Sequence, residues 1–435
     1  MQEKLLRSGY TTGTCGAAAA KAAAYCFLTG TIIEKVSVEI PKKGAAWMPV
    51  KREETGGRVW FKVQKDAGDD PDVTHGAWIY ASVERIEGDL EDVWYQSEEY
   101  PYLYLTGDEG VGIVTKPGLS CPVGKHAINP VPRKMIFHEV GEVCGELDSQ
   151  EKLLIRIRIP EGRYLAEKTF NPKLGITGGI SVLGTSGIVE PMSEQALLDT
   201  IRLEIHMKAV ESDRPLILTP GNYGETFLRE HLKLALSQAV KCSNFVADAM
   251  EMTALEGISQ VLFVGHIGKM IKVAGGISNT HSRYGDHRME ILAECAKTAF
   301  NLEKTNKAGE ANKEDIANKE DIVNKEDIAD KEDKAVKEDK VDKEDKAGNT
   351  GGKYEVVKRR ILQSNTTEEA LAVLEEAGCM EAAMQEAGRR IQSHLTAWAG
   401  KKVEVEVVTF STIYGILFKS RGADALMGRL TVEET

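Results

Sequence analysis

Two clusters of polar residues in this 435-residue sequence have the composition of ligand-binding or catalytic sites. The first follows an apolar run at 261–264 and consists of Gly265, His266 and Gly268, with a polar loop at 278–288 after them. A lone histidine is more often a core or surface residue, but three of the nine histidines lie in this region, which favours a site. The side chains here that could exchange a proton with a substrate are His266, His281 and Asp286.

The second cluster is a turn at 8–16, rich in glycine and threonine, that leads directly into an alanine-rich segment at 17–24. Alanine is the best helix former, so we expect a helix to begin near Thr14. The free N–H groups of that helix end, together with the hydroxyls of Thr11, Thr12 and Thr14, could bind a carboxylate or a phosphate. An ordinary helix cap is the alternative, and the sequence leaves both open.

Further glycine-rich turns occur at 107–118 and 175–193. The second has the glycine spacing of a P-loop, but Thr185 occupies the position of the phosphate-binding lysine, so a kinase or NTPase is disfavoured. Prolines at 130 and 132 are expected to fix an extended backbone that holds Asn129 and Arg133 in place. An acidic turn at 66–75 suggests a metal site or acid–base chemistry, or else simple Asx turns, although its spacing is not that of a calcium loop.

The elements that position these clusters have α/β periodicity. Strands are predicted at 36–40, 59–63, 78–83 and 153–159. In the second half, a strand at 216–219, helices at about 224–240 and 247–255 and the strand at 261–264 predict a parallel sheet covered by helices. A chain of this length should form two lobes around a cleft: an α+β lobe at 1–192 and an α/β, Rossmann-like lobe at 193–435.

Composition excludes several classes of function. The net charge of −12 and the lack of a basic cluster disfavour nucleic acid as a partner. The sequence contains no run of about 18 apolar residues, so no membrane span is predicted. The N-terminus lacks the apolar core of a signal peptide. Seven scattered cysteines without a CxxC pair predict neither a zinc site nor disulfides, which is typical of the cytoplasm.

A low-complexity segment at about 303–352 interrupts the second lobe. Lys-Glu-Asp recurs six times with a period of six, at 313, 319, 325, 331, 337 and 343. Six residues advance 600° around a helix, so no apolar stripe forms, and we predict a disordered insertion without a role in the site.

The order of the glycine motifs resembles that of the cobalt-precorrin-5B C1-methyltransferases of anaerobic cobalamin biosynthesis, the CbiD family. The matching segments are GYTTGTCGAAAAKAA (9–23), DAGDDPDVTHGA (66–77), GVGIVTKPGL with AINPVPR (110–133), GITGGISVLGTSGIVEPMS (175–193), TPGNYGE (219–225), VGHIGK (264–269), NTHSRYGDHRMEI (279–291) and NTTEEAL (365–371). The resemblance spans nearly the whole chain outside the insertion. Asp286-His287 departs from it slightly, because a small residue is expected after the aspartate.

The resemblance implies methyl transfer from S-adenosylmethionine to C-1 of a cobalt-containing corrinoid, a small-molecule substrate that brings its own metal. It therefore implies no protein-bound metal, no nucleic-acid or membrane partner and a cytoplasmic enzyme, and leaves a homo-oligomer open. The strand ends at 216–225 and 261–268 are predicted to bind the cofactor through Gly221, Asn222, Gly224, Gly265 and Gly268. Predicted substrate-binding residues are Thr11, Thr12, Thr14, Lys116, Arg133, Thr177, Ser181, Thr185, Ser186, Arg283 and Arg288.

Two alternatives belong to other classes of protein. A nucleotide-dependent oxidoreductase or kinase could use the same α/β half, and a non-catalytic tetrapyrrole-binding module could serve the same pathway. Binding of NAD or ATP would favour the first, and corrinoid binding without methyl transfer would favour the second.

Overall fold

The computed structural model describes residues 6–41, 44–236, 239–301, 349–400 and 402–431. The chain forms two compact units, Met1–Glu211 and Ser212–Thr435. Both contain helices and strands, which confirms the predicted mixed α/β class. Most of the predicted insertion, 303–348, lies outside the described residues. Its predicted last residues, 349–352, are helical, so the prediction of disorder there is wrong.

The first unit has fourteen described strands and four described helices. The strands are β1 (Gly9–Tyr10), β2 (Lys35–Ile40), β3 (Gly44–Pro49), β4 (Lys51–Thr55), β5 (Arg58–Gln64), β6 (Trp78–Arg85), β7 (Tyr95–Gln96), β8 (Leu103–Gly107), β9 (Gly110–Val111), β10 (Ile113–Val114), β11 (Leu153–Arg158), β12 (Ile176–Thr177), β13 (Gly179–Ile180) and β14 (Ile188–Val189). The helices are α1 (Thr12–Thr29), α2 (Pro130–Glu146), α3 (Gly162–Ala166) and α4 (Glu194–Glu211).

The core of the first unit lies between a six-stranded sheet and two helices. The strand order is β4-β5-β6-β11-β8-β7, in which β11 and β8 are parallel and the other pairs are antiparallel. Alternate residues such as Phe61, Ile79 and Ile155 point to the same face and pack with the alanines of α1. The small alanine side chains let α1 approach both the sheet and α2 closely.

One backbone prediction in the first unit is correct for Asn129, whose backbone is extended, and wrong for Arg133. The prolines at 130 and 132 do not extend the chain at Arg133, because α2 begins at Pro130. Proline fits the first turn of a helix, where its missing N–H has no intrahelical acceptor. Arg133 accordingly lies in that turn and donates its backbone N–H to Asn129 O.

The second unit has five described strands and eight described helices. The strands are β15 (Leu216–Thr219), β16 (Ala239–Lys241), β17 (Gln260–His266), β18 (Glu404–Ser411) and β19 (Gly415–Lys419). The helices are α5 (Asn222–Glu230), α6 (Val246–Leu255), α7 (Ile267–Ala274), α8 (288–301), α9 (Asn349–Gln363), α10 (Thr367–Glu376), α11 (Met380–Ala399) and α12 (Ala423–Thr431).

The sheet of the second unit has helices on both faces. Its strand order is β16-β15-β17-β18-β19, parallel except for the edge strand β19. Leu262, Val264 and Val408 point to one face, where they share an apolar cluster with α5 and α12. Helices α6 and α7 pack against α11, which covers the opposite face of β18 and β19. Because both faces of the sheet are covered, the central strands β15 and β17 are buried along nearly their whole length.

The predicted helix at about 224–240 is wrong in its second half. Helix α5 ends at Glu230, and the chain turns at Lys233, whose φ is 56°. Leucine recurs at every second residue here, at 232, 234 and 236. These side chains pack into the apolar cluster with α5 and α12 instead of continuing the helix. Pairing of 239–241 with β15 prevails over local helix propensity here.

Candidate active site

The carboxyl edge of the parallel sheet in the second unit brings together loops that are distant in the sequence. Strands β15 and β17 are neighbours, but β15 leads into α5 on one face whereas β17 leads into α7 on the other. The chain thus diverges between these two strand ends, and open α/β sheets bind ligands at such a point. The five residues predicted to bind the cofactor lie at these two strand ends: Gly221, Asn222, Gly224, Gly265 and Gly268.

The N-terminus of α5 presents backbone N–H groups at this edge. Gly221 precedes the helix with an extended backbone and supplies no side-chain cap. Asn222 and Tyr223 are exposed, and their N–H groups have no acceptor in the described part of the chain. The partial positive charge of a helix N-terminus makes this end suitable for an anionic or polar ligand group.

Two of the glycines permit close packing. A Cβ on Gly224 would overlap Thr219 Oγ1 and lie 3.3 Å from Val264 O, so α5 approaches both strands at this residue. A Cβ on Gly265 would lie 2.6 Å from the side chain of Met270. At both positions glycine is required by the neighbouring protein atoms, whether or not a ligand is bound.

Gly221 differs, because only one side chain comes near it. A Cβ there would lie 3.6 Å from Lys269 Nζ, which is ordinary van der Waals contact. Lys269 Nζ donates to Pro220 O (2.8 Å) and to Asn244 Oδ1 (3.0 Å), and so joins the loops that follow β15 and β16 to α7. Lys269 and Asn244 were not predicted as site residues. The position of Lys269 in the first turn after a buried strand was the available signal.

Both ring nitrogens of His266 have partners. Nδ1 accepts the N–H of Gly268 (3.1 Å), and Nε2 lies 3.3 Å from Glu368 Oε1. Burial lowers the pKa of His266, and the nearby Glu368 carboxylate only partly opposes that effect. The imidazole is therefore neutral near pH 7, with its proton on Nε2 directed at Glu368.

Glu368 extends this network to the end of β18. The hydroxyl of Ser411 lies 2.7 Å from Glu368 Oε2 and also accepts the backbone N–H groups of Ile413 (3.0 Å) and Tyr414 (3.1 Å). His266, Glu368 and Ser411 thus link three loops at the same edge. Glu368 and Ser411 were not predicted as site residues, because the contacts that bring them to this edge join segments far apart in the sequence.

The polar loop after α7 contains an ion pair and an exposed histidine. Arg288 Nη2 donates to Asp286 Oδ2 (2.6 Å), and this pairing holds the pKa of Asp286 below its usual value. The Asp286 carboxylate is therefore a weak base. His281 is exposed, and its Nδ1 accepts the N–H of Arg283 (3.2 Å). Arg283 Nη2 lies 3.0 Å from Tyr284 Oη.

In the first unit, the threonine turn before α1 is closed by the chain itself. Thr11 Oγ1 accepts the N–H of Thr14 (3.2 Å), and Thr14 Oγ1 donates to Gly187 O (2.7 Å). The N–H of Gly13 donates to Leu183 O (2.9 Å). The turns at 11–14 and 183–187 are therefore packed together, and the Thr11 hydroxyl caps α1.

The remaining predicted hydroxyl and lysine residues of the first unit lie in varied environments. Lys116 Nζ pairs with Glu211 Oε1 at 3.0 Å. The Ser186 hydroxyl donates to Ile188 O (2.9 Å). Thr12 and Ser181 are buried, Ser186 is half-buried, and Thr177 and Thr185 are exposed.

Arg133 is the predicted substrate residue of the first unit whose charge is least satisfied. Its guanidinium carbon lies 4.1 Å from the ring centroid of Tyr95, and the side chain has no carboxylate partner in the described ranges. Asn129, at the start of the same helix, accepts from Cys121 Sγ (3.3 Å). A half-buried arginine without a carboxylate partner is suited to bind a carboxylate.

The acidic turn at 66–75 forms Asx turns and ion pairs. Asp66 accepts the N–H of Gly68 (2.9 Å) and pairs with Arg7, and the hydrogen bond from Arg7 lowers the pKa of Asp66 to about 2. Asp72 accepts the N–H of Thr74 (2.7 Å). Among the residues that the structure describes, no three His, Cys, Asp or Glu side chains are placed to hold a metal ion. No described helix is long and apolar enough to cross a membrane.

Fold and site together define a mixed α/β protein with a ligand-type edge on a parallel sheet. The sequence model of the CbiD family matches residues 1–191, and that of the CbiD C-terminal domain matches 346–421. The cobalt-precorrin-5B C(1)-methyltransferase of Ruminiclostridium cellulolyticum is 37% identical over 414 residues, which cover 94% of this chain and 90% of the relative. The chain therefore belongs to the CbiD family.

Two further proteins are similar to this chain. The cobalt-precorrin-5B C(1)-methyltransferase of Alkaliphilus metalliredigens is 46% identical over 291 residues, which cover 67% of this chain and 73% of the relative. The crystal structure of the cobalamin biosynthesis protein cbiD from Archaeoglobus fulgidus is 26% identical, covers 62% of this chain and 80% of that chain, and has a TM-score of 0.34.

Proposed function

We propose that this protein transfers a methyl group to C-1 of cobalt-precorrin-5B, forming cobalt-precorrin-6A in anaerobic cobalamin biosynthesis. The observation that carries this proposal is the 37% identity, over 94% of the chain, to a relative named cobalt-precorrin-5B C(1)-methyltransferase. Family models that match both ends of the chain support the same assignment. The protein is accordingly an enzyme of cobalamin biosynthesis.

The methyl donor that we propose is S-adenosylmethionine, bound at the carboxyl edge of a Rossmann-like sheet in the second unit. This donor supplies a methyl group on a positively charged sulfur, which a carbon nucleophile can attack. The free N–H groups of Asn222 and Tyr223 and the open backbone at Gly221 support this location. The role of these residues is to bind and orient the donor and to exclude water from it.

The corrinoid is a flat molecule with many carboxylates, so its recognition needs cations without partners. Arg133 is a cation without a carboxylate partner within the described residues, whereas Lys116 and Arg288 already pair with Glu211 and Asp286. A carbon of the electron-rich ring is the nucleophile, so no covalent enzyme nucleophile is required. Binding that aligns the two reactants provides much of the catalysis in such a reaction.

A base for proton loss, if one acts, is better sought at His281 than at His266 or Asp286. His266 has partners on both ring nitrogens, and Asp286 is paired with Arg288. His281 is exposed, and its Nε2 has no partner in the described part of the chain. We therefore assign His266 a positioning role at the start of α7 and keep His281 as the candidate base.

Mass spectrometry of the corrinoid after incubation with the enzyme and a labelled methyl donor tests the proposal. We expect the mass to rise by one labelled methyl group, located at C-1. Corrinoid that binds but stays unmethylated would contradict the proposal and indicate a carrier module. Tight binding of NAD or ATP, without binding of S-adenosylmethionine, would indicate a nucleotide-dependent enzyme.

The division at 192/193, the arrangement of two lobes around a cleft, the cytoplasmic location and a homo-oligomeric state stay predictions. The assignment of individual substrate-binding residues also stays a prediction, since it derives from the resemblance and from local geometry.

A further inference from the structure

Lys269 is a cation without a carboxylate partner at the proposed donor site. Its ammonium is half-buried and donates to two neutral oxygens, Pro220 O and Asn244 Oδ1. No carboxylate lies within ion-pair distance of it in the described part of the chain. Lys241, at the same edge of the sheet, differs because its Nζ lies 2.8 Å from Glu225 Oε2.

A second lysine on α7 adds to the positive charge here. Lys272 is buried, and its ammonium donates to the backbone carbonyls of Thr280 (3.3 Å) and Gly285 (2.9 Å). Burial lowers the pKa of Lys269, and the repulsion from Lys272 adds a smaller effect in the same direction. Lys272 interacts with the Asp286 carboxylate, whereas Lys269 has no carboxylate within ion-pair distance among the described residues. Because desolvated charges in proteins are usually paired, a ligand could supply the anion that Lys269 lacks.

The surroundings of Lys269 contain further donors for such an anion. Its ammonium lies beside Gly221, directly before the free N–H groups of Asn222 and Tyr223. Asn244 Oδ1 accepts from Lys269 and from Thr280 Oγ1, which leaves its amide N–H groups without a partner among the described residues. Ammonium, amide and helix N-terminus together form the usual set of groups that bind a carboxylate.

We propose that Lys269 recognises a carboxylate of one of the two reactants at this edge. The inference rests on the proposed function and deepens it, because it names the chemical group that this site binds. The carboxylate belongs either to the amino-acid part of the methyl donor or to an acid side chain of the corrinoid. Lys269 acts in binding and specificity, with no part in bond making.

Calorimetry with two donors that differ only in the carboxylate tests the proposal. S-adenosylmethionine and decarboxylated S-adenosylmethionine are titrated into the full-length wild-type protein and into Lys269→Gln, which keeps an N–H donor but loses the charge. If the carboxylate comes from the donor, the wild type prefers S-adenosylmethionine by about 10- to 100-fold, and the variant loses that preference.

Three controls separate recognition from structure. Lys269→Arg keeps the charge and should retain most of the preference. Lys419, at the end of β19, forms an exposed ion pair with Asp424 of α12. Lys419→Met removes the same charge there and should leave the preference unchanged. Thermal unfolding of each variant shows whether it is folded. A third titration, with the corrinoid, shows whether Lys269→Gln instead weakens corrinoid binding by a similar factor.

Each outcome decides for or against the inference. Loss of the donor preference, or a selective loss of corrinoid affinity, supports it and identifies the source of the carboxylate. Equal weakening of both donors in a folded variant means that Lys269 is only a structural link between loops, and unchanged affinities for all ligands also overturn the inference. If the wild type methylates the corrinoid and Lys269→Gln keeps the full donor preference and the full corrinoid affinity, the inference about Lys269 is refuted but the proposed function is not. Failure of the wild type to bind either reactant would refute the proposed function as well.

Discussion

Two turns of similar composition, one in each unit, lead from a strand into a helix, but another segment of the chain fills only one of them. The turn before α1 is filled by the chain, because Gly13 N–H and Thr14 Oγ1 bond to the carbonyls of Leu183 and Gly187. The turn before α5 has no side-chain cap, and the N–H groups that follow Gly221 have no described acceptor. Glycine and threonine in a turn therefore do not by themselves indicate a ligand site; what matters is whether another segment of the chain occupies it.

The largest expected effect comes from the packing glycine of the open turn. A methyl group at Gly224 would overlap Thr219 Oγ1, so Gly224→Ala should lower the free energy of unfolding by about 2–4 kcal/mol, in spite of the better helix propensity of alanine. Urea unfolding measures this loss. Gly221→Ala, three residues earlier, is the control and should change stability by less than about 0.5 kcal/mol. Equal losses in both variants would show that Gly221 is not open.

The closed turn should respond through stability and not through binding. Thr14 is fully buried, so Thr14→Val removes the hydroxyl that donates to Gly187 O, which keeps only the bond from the Thr11 N–H (3.2 Å), and should cost about 1–2 kcal/mol of unfolding free energy. Thr185→Val, at an exposed hydroxyl of the adjoining turn, should cost less than about 0.5 kcal/mol. Unchanged stability of Thr14→Val together with weaker corrinoid binding would mean that this turn is a ligand site after all.

Because the threonine turn is closed, Arg133 is the main candidate for carboxylate binding in the first unit. Arg133→Gln should raise the KM for the corrinoid about 10-fold with little change in kcat, which corresponds to one charged hydrogen bond. Arg85→Gln removes the same charge from an exposed pair with Glu151 and serves as the matched control. Steady-state kinetics at varied corrinoid concentration measure this change. Equal KM values for the corrinoid in the two variants would contradict the role of Arg133.

The smallest expected effect is a pH dependence from His266. Its pKa in the folded protein is lowered by burial from the ordinary value of 6.5, so the unfolded chain takes up a proton at a higher pH than the folded chain does. The stability that His266 contributes is complete above pH 6.5 and is lost as the pH falls toward the folded pKa.

His266→Asn tests this dependence, because asparagine can still accept the N–H of Gly268 but does not titrate. Unfolding free energies measured between pH 7.5 and 5 (on the order of one unit to either side of the ordinary histidine value) should fall less steeply in the variant than in the wild type. His281→Asn, at an exposed histidine, controls for the loss of a histidine elsewhere in the same region. Parallel curves for wild type and His266→Asn would contradict the neutral, buried state of this side chain.

The sequence predicted best what local patterns determine. The β-branched run at 261–264 became the centre of β17, which is buried on both sides because the sheet is covered on both faces, and such an apolar run is visible within one segment. The start of α2 at Pro130 was mispredicted, since proline is compatible with both an extended chain and a first helical turn.

The candidate site was predicted only in part, because its decisive contacts join residues far apart in the sequence. The glycines and His266 have a local signature, whereas the contact of His266 with Glu368 spans about a hundred residues, and that of Lys269 with Pro220 spans 49. Nothing in the segment around Thr11 reveals that residues 183–187 will cover it. Whether a polar group is free or already satisfied is a property of the tertiary fold.

The most direct test of the account is the affinity of Gly221→Val for S-adenosylmethionine, measured by calorimetry. Gly221 has an extended backbone that any residue can adopt, and a Cβ there meets no protein atom closer than 3.6 Å, so the variant should fold normally. Gly428→Val, at another glycine of the same unit with open space around it, is the control. We predict that only Gly221→Val weakens donor binding, by about 10-fold or more, because its side chain occupies the edge where the donor binds. Undiminished affinity in Gly221→Val would contradict the placement of the methyl donor at this strand end.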